Sequence, residues 1–172
     1  MRSGPPRVNP PKAGPTAGTS VIVSRSVAEG LLRLAVRRLP YETGGVLYGG
    51  GETGSAGRIR GFLELRSVKP ASDHYRADAC EVRDEVFRSD GGRGLVVGMF
   101  HTHTKGAASP SALDSRTASA GYIHVIGAVE VRFPRIRAFR RDAPNDPLTE
   151  LRLGVVAQKE GPGASGRSPT SP

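Results

Sequence analysis

An apolar run that ends in two histidines sets the strongest limit on how this chain folds. Leu95 to Phe100 is apolar enough to form a buried strand, and His101-Thr102-His103 follows it directly. Seven residues then lead to Ser111 and two more to Asp114, in a segment with helical character that Pro110 opens. The sequence therefore predicts that the two histidines lie where a strand ends and that the aspartate lies in the first turn of a helix.

This arrangement indicates a metal site. Residues i and i+2 of a strand point to the same face, so His101 and His103 direct their imidazoles at one point. Asp114, at the start of the helix, closes a third side. Two imidazoles and one carboxylate are the ligand set of a catalytic zinc ion, which lowers the pKa of its bound water to roughly 7. A His-x-His pair alone is a weak sign, because two histidines fall near a loop by chance; the full spacing after an apolar strand is far stronger.

Length and composition limit the class of protein. A chain of 172 residues is expected to form one domain, and its apolar runs are too short to span a membrane. Pro and Gly dominate the ends, which predicts disordered tails at 1–19 and 158–172 around a domain at 20–157. The first tail has no apolar core of a signal peptide, and a single cysteine, Cys80, excludes an internal disulfide framework. Together these features favour the cytoplasm.

The chain is basic, with a formal net charge of +9. Part of the charge lies between the tails, where it is read either as a solvated arginine-rich surface or as attraction to an acidic partner. Nucleic acid is the weaker choice of partner, because no nucleic-acid motif and no interleaved aromatic residues accompany the charge. The arginines that cluster near the end of the domain are Arg132, Arg135, Arg137, Arg140 and Arg141.

Hydrophobic periodicity predicts a mixed α/β fold, with one sheet flanked by helices. Ser26 and Glu29 have the spacing of a capping box, so Ser26 is the predicted N-cap of the first helix, and Pro40 ends that helix. The predicted helices cover 27–39, 78–89 and 111–120, and the predicted strands cover 21–23, 46–48, 59–67, 95–100, 122–131, 136–140 and 151–156.

Glu42 completes the pattern. It opens the stretch Glu-Thr-Gly-Gly-Val-Leu-Tyr-Gly, and together with His101, His103, Ser111 and Asp114 it resembles the motif of the JAMM (MPN-plus) metalloprotease family. The similarity extends over about 21–157. It implies the JAMM/MPN fold with its cytidine-deaminase-like architecture.

The resemblance also implies roles for the five residues. His101, His103 and Asp114 would bind Zn²⁺. Glu42 would accept a proton from the zinc-bound water and pass it to the leaving amine, and Ser111 would hydrogen-bond the developing oxyanion. Two simpler interpretations stay open: Ser111 as the N-cap of its helix, and Glu42 as a surface carboxylate beside an arginine of the first helix, at 37 or 38.

The sequence departs from the family in the loop after the histidines. Many members have Ser between the histidines and Pro after the second, where this chain has Thr102 and Thr104. Threonine keeps the hydroxyl, so the first change is mild, and losing the proline alters the loop rather than the ligands.

The chain lacks the long insertions of eukaryotic deubiquitinases. It is most similar to short bacterial members that act on ubiquitin-like sulfur-carrier proteins. The implied substrate is therefore a folded carrier whose Gly-Gly terminus is joined to another group, with Gly44, Gly45 and the loop at 104–108 as candidate neighbours of that terminus. A non-catalytic module that binds such a carrier and a DNA-associated protein are the alternatives.

Three further residues are candidates on chemistry alone. His124 lies in an apolar strand and is interpreted as a core residue or a neighbour of the ligands. His74 lies in a loop and is expected to be exposed. Cys80 is expected to be a small buried apolar residue.

Overall fold

The computed structural model describes residues 20–50, 57–88, 95–129 and 134–157. The predicted tails lie outside these residues, so the domain boundaries stay a prediction. The described residues form seven strands and three helices. The strands are β1 (Ser20–Ser24), β2 (Gly44–Gly50), β3 (Gly57–Leu65), β4 (Leu95–His103), β5 (Ile123–Ala128), β6 (Arg135–Arg140) and β7 (Thr149–Val156); the helices are α1 (Arg25–Arg38), α2 (Ala79–Phe87) and α3 (Ala112–Thr117).

One sheet contains all seven strands. Their order is β1-β3-β2-β4-β5-β6-β7, and β1 also pairs with β7, so the sheet closes into a barrel. β1 runs parallel to β3 and β7, and β4 runs parallel to β5. Parallel neighbours need a crossover connection, and α3 lies in the one that joins β4 to β5.

Helix α1 packs against the inner face of this barrel. It contacts β1, β3, β5, β6 and β7. Its apolar side chains, among them Leu31 and Leu34, form one core with residues from every strand, including Leu47 of β2 and Phe100 of β4. The mixed α/β class is therefore confirmed, but the predicted sheet flanked by helices is corrected to a closed sheet around one helix. The cytidine-deaminase-like architecture stays a prediction.

The start of α1 differs from its prediction. The N-cap is Ser24, whose hydroxyl accepts the Val27 N–H at 3.3 Å. Ser26 lies within the helix, and Glu29 contacts Arg33 at 3.5 Å. The physical reason is that β1 runs directly into α1 without a turn, so the last strand residue caps the helix. The helix ends before Pro40, as predicted.

The outer face of the barrel carries two smaller apolar clusters. One lies under α2, where Val46 and Leu65 pack with Val82, and the Tyr48 hydroxyl donates to Glu85 at 2.5 Å. The other, beside the ends of β4 and β5, includes Ile126 and lies under the loops that follow β4 and β6. Because Phe100 points inward, His101 and His103 lie on the outer face next to this second cluster.

Most predicted elements are present, with shifted ends. The strand expected at 122–131 ends at Ala128, and residues 130–133 lie outside the described part of the chain. The helix expected at 111–120 ends at Thr117, because its C-cap, Ala118, already leaves the helical conformation with a ψ of 127°. Gly121, with a φ of 81°, then turns the chain toward β5. No helix among the described residues is long and apolar enough to cross a membrane.

Candidate metal centre

His101 and His103 are a close pair at the end of β4. Their Nε2 atoms lie 3.1 Å apart. The Nδ1 atom of His103 lies 3.0 Å from the Ala107 carbonyl oxygen, and since a carbonyl only accepts, the ring nitrogen donates. This bond places the proton of the neutral ring on Nδ1 and leaves Nε2 free to bind a metal.

Asp114 approaches the histidines from α3. One carboxylate oxygen lies 3.2 Å from His101 Nε2, and the other lies 3.4 Å from His103 Nε2. A capping box fixes the carboxylate, because it accepts the Ser111 N–H at 2.7 Å while the Ser111 hydroxyl accepts the Asp114 N–H at 3.1 Å. Ser111 is therefore the N-cap of α3.

These three side chains fit a zinc ion. Their ligand atoms all lie within 4.8 Å of one another. Zinc bonds of about 2.0–2.1 Å in a tetrahedron separate neighbouring ligand atoms by about 3.3 Å. The two ring nitrogens lie 3.1 Å apart, near this value, and each lies 3.2 or 3.4 Å from a different oxygen of the Asp114 carboxylate. Two neutral imidazoles and one carboxylate are also a donor set that zinc prefers.

Glu42 lies beside the ligands. The β2–β4 ladder pairs Gly44 with His101, and one further bond, from the Thr102 N–H to the Thr43 carbonyl at 2.8 Å, extends it. Continuing this register places Glu42 opposite His103. Glu42 is 7% exposed, and its carboxylate accepts the backbone N–H of Thr104.

Burial rules out one interpretation of Glu42, that of a surface carboxylate. The surface interpretation is wrong, because Arg38 forms a forked pair with Glu64 instead, at 2.6 and 2.7 Å. Burial raises the pKa of the Glu42 carboxyl, although the nearby imidazoles of His103 and His101 act to lower it.

The ligands perturb one another as well. Contact with Asp114 raises the pKa of His103. Burial acts to raise the pKa of Asp114, but bonds from His101 and His103 outweigh this effect and hold it well below its usual range. The carboxylate of Asp114 is therefore ionised, as a metal ligand must be.

Two glycines let the Glu42 segment approach its neighbours closely. A Cβ atom on Gly45 would lie 1.9 Å from the Leu63 carbonyl oxygen, and one on Gly44 would lie 2.5 Å from the Phe100 carbonyl oxygen and from the Tyr75 ring. No side chain fits at either position, so the glycines set the spacing between β2 and the strands on both sides of it.

Two threonines beside the histidines hold this segment in place. The buried Thr102 hydroxyl accepts the Thr43 N–H at 3.0 Å, and the Thr104 hydroxyl donates to the Ser72 carbonyl at 2.6 Å. The sequence showed these hydroxyls but not their partners, which lie about thirty to sixty residues away along the chain.

The other candidates lie outside the ligand group. The Nε2 atom of His124 donates to the Ser119 carbonyl at 3.0 Å, in keeping with a neighbour of the site rather than a ligand. His74 contacts Asp73 at 2.8 Å. Cys80 is exposed on α2, so the expectation of a buried residue is wrong. The reason is that α2 is only weakly apolar and buries little of its surface.

Comparisons with known proteins identify the family and show a similar fold. The family model described as prokaryotic homologs of the JAB domain matches residues 24–142, which include all five motif residues. The fold is similar to a solution structure of a protein from Desulfitobacterium hafniense, with a TM-score of 0.69, 21% identity, and coverage of 81% of this chain and 95% of the other. It is also similar to one from Salinibacter ruber, with a TM-score of 0.59, 16% identity, and coverage of 82% and 97%. No curated protein matches the chain.

Proposed function

The chain belongs to the family of prokaryotic homologues of the JAB domain, and from that premise we propose that it is a zinc-dependent peptidase of the JAMM type. The observation that carries the proposal is the meeting of His101, His103 and Asp114 beside the buried carboxyl of Glu42. A purely structural zinc site has four protein ligands and no need of a buried acid beside it. Three ligands and an adjacent acid are what hydrolysis requires.

The bound zinc would polarise the scissile carbonyl and make hydroxide available at neutral pH. Glu42 takes a proton from the attacking water and returns it to the leaving amine. Its carboxylate is held for this task by the Thr104 N–H, and its burial keeps other water away. Ser111 hydrogen-bonds the oxyanion that develops on the carbonyl oxygen. Capping uses the Ser111 hydroxyl as an acceptor, and its O–H, which bonds the Asp114 carboxylate and acts to lower the pKa of that carboxyl, would turn to the oxyanion during the reaction.

The proposed substrate is an amide at the C-terminal Gly-Gly of a ubiquitin-like sulfur-carrier protein, from which an amino acid or a C-terminal extension is released. Glycine has no side chain and passes through a narrow cleft that excludes larger residues. Gly44 lies directly opposite His101, and the Phe100 carbonyl and the Tyr75 ring limit the space beside it, so a tail without side chains suits this approach to the ligands. A Gly-Gly tail would reach the ligands in an extended conformation.

Hydrolysis by the zinc-loaded protein tests the proposal. The probe is a ubiquitin-like sulfur-carrier protein that ends in Gly-Gly and is extended by a short peptide, with release followed by mass spectrometry. The unaltered protein is expected to cleave after the second glycine. Glu42→Gln is expected to keep about one zinc per chain and to lose cleavage, because the amide cannot carry the proton.

Two controls separate this result from its alternatives. The same carrier ending in Ala-Ala is expected to resist cleavage, because its methyl groups do not fit the cleft. Turnover by Glu42→Gln at the normal rate would contradict the mechanism. Tight carrier binding without turnover by the zinc-loaded protein would instead support a non-catalytic binding module. Duplex DNA binding that falls steeply with salt would support the DNA-associated alternative.

A further inference from the structure

Helix α3 carries a metal ligand but is not held by apolar packing. It has six residues, and none of them is buried. Its large apolar side chain, Leu113, is 42% exposed. A helix this short is not stable alone, because its few hydrogen bonds do not offset the cost of nucleation. Polar contacts from other elements must therefore decide where Asp114 lies.

Arg141, at the end of β6, supplies such contacts. Its guanidinium donates to the carbonyl oxygens of Ser115 and Ala118, the latter at 3.3 Å, and to that of Pro144 at 3.3 Å. The Ser115 and Ala118 carbonyls are at the C-terminal end of α3, where carbonyls lack partners within a helix and where the helix dipole favours a cation. The Arg141 carbonyl also accepts the Gly121 N–H at 2.8 Å, which fixes the turn after the helix.

Arg137 holds the other end of the same segment. Its Nη1 atom donates to the Ser109 hydroxyl at 2.7 Å, just before the helix begins. A forked pair with Glu150 orients the guanidinium, with the Nε bond at 2.8 Å. Arg137 and Arg141 therefore hold the two ends of residues 109–118, between which Ser111 and Asp114 lie.

We propose that Arg141, assisted by Arg137, is a positioning residue that holds α3 so that Asp114 meets His101 and His103. The inference rests on the proposed function in one respect, that Asp114 is a metal ligand. It also gives two of the clustered arginines a use inside the domain, in place of a free surface for an acidic partner. The contacts of Arg141 with this segment are to the backbone carbonyl oxygens of Ser115 and Ala118, so it acts through the backbone of α3.

The chain offers a matched control. Arg140 is the neighbour of Arg141, and its guanidinium bonds Asp142 at 2.6 Å. No contact of Arg140 with α3 is present among the described residues. Arg140→Gln and Arg141→Gln therefore remove the same charge from the same end of β6, but only the second removes the contacts with the helix.

Two measurements test the proposal. The first is zinc affinity by competition with a chromophoric chelator. Arg141→Gln is expected to weaken zinc binding roughly tenfold or more, the usual loss when a group that orients a ligand is removed. The second is amide hydrogen exchange of the metal-free protein, which is expected to quicken in residues 109–118 and not in β4. Arg140→Gln is expected to change neither quantity, and Arg137→Gln to change both by less.

The outcomes distinguish this inference from the proposed function. Should Arg141→Gln lower the unfolding midpoint while zinc affinity and local exchange stay unchanged, Arg141 is only structural and the proposal is wrong. Should the unaltered protein bind no zinc, the proposed function fails, and exchange alone then decides whether Arg141 holds α3. Arg141→Lys keeps the charge without the fork of donors, so it serves as the test variant if Arg141→Gln fails to fold; intermediate zinc affinity in it supports the proposal, and unchanged affinity contradicts it.

Discussion

Glu42, His101 and His103 lie on or directly beside paired strands of a closed sheet, whereas Ser111 and Asp114 belong to a short helix that buries none of its side chains. We call the first group the sheet half of the centre and the second the helix half. In the sheet half, backbone ladders and the lack of space around Gly44 and Gly45 set the positions. In the helix half, a capping box and side chains from β6 set them.

The difference predicts how each half responds to mutation. Changes in the sheet half disturb a packed core, so they alter the stability of the whole domain together with the site. Changes in the helix half disturb contacts near solvent, so they alter zinc binding or turnover at a small cost in stability.

Gly45→Ala is expected to have the largest effect, because the added Cβ would lie 1.9 Å from the Leu63 carbonyl oxygen on a neighbouring strand. Such an overlap forces backbone movement and costs about 3 kcal/mol or more in the free energy of unfolding. Gly61→Ala is the control, since its Cβ would meet nothing within 4 Å. Equal urea midpoints for the two variants would show that the close approach of β2 to its neighbouring strand does not determine the structure of the sheet half.

Thr102→Val keeps the shape of the side chain but removes the acceptor of the Thr43 N–H. A buried donor left without a partner costs about 1–3 kcal/mol. Because Thr43 adjoins Glu42, hydrolysis is expected to fall as well, while the zinc content stays unchanged. Thr102→Ser, which keeps the hydroxyl, is expected to retain most of the activity. An active Thr102→Val protein would show that this hydroxyl does not place Glu42.

Ser111→Ala tests the helix half. Losing the N-cap is expected to cost about 1 kcal/mol of stability. Losing the proposed oxyanion donor is expected to lower kcat by about a hundredfold. Ser111→Thr, which preserves both functions, is the control. A loss of stability in Ser111→Ala with normal kcat would leave Ser111 as a cap alone.

The smallest effect is expected at Glu64, on β3 beside the sheet half. Burial acts to raise the pKa of Glu64, but bonds from Arg38 and Thr43 outweigh it and lower the pKa below the model-compound value. A lowered pKa in the folded state gives stability that is present above pH about 4.5 and is lost as the pH falls through the folded pKa. Glu64→Gln is therefore expected to flatten the acid side of the stability profile. A profile of unchanged slope would contradict this.

Features of the fold and of the site were predictable from the sequence where neighbouring residues determine them. The apolar run before His101 predicted the strand, and the spacing of the two histidines predicted their shared face, although β4 continues to His103 instead of ending at 100. The spacing to Asp114 predicted its place in the first turn of α3. Each of these is a local pattern, because strand and helix periods fix which neighbours share a face.

Features that depend on distant contacts were not predictable. Ser24 caps α1 only because β1 leads directly into it, and the closure of the sheet depends on pairing between β1 and β7 at opposite ends of the domain. The contact of Arg141 with α3 spans more than twenty residues. Five arginines in a short stretch gave no sign that Arg137 and Arg141 are the ones that bond this segment. Tertiary context decided each of these cases.

The proposed metal centre is tested most directly by the zinc X-ray absorption spectrum of the purified, zinc-loaded protein. A centre formed by His101, His103 and Asp114 predicts nitrogen and oxygen ligands at about 2.0–2.1 Å, two of them imidazoles, and no sulfur at about 2.3 Å. In Asp114→Asn, zinc affinity is expected to fall. Protein that binds no zinc, or a sulfur ligand from the exposed Cys80, would contradict the claim that His101, His103 and Asp114 form the metal centre.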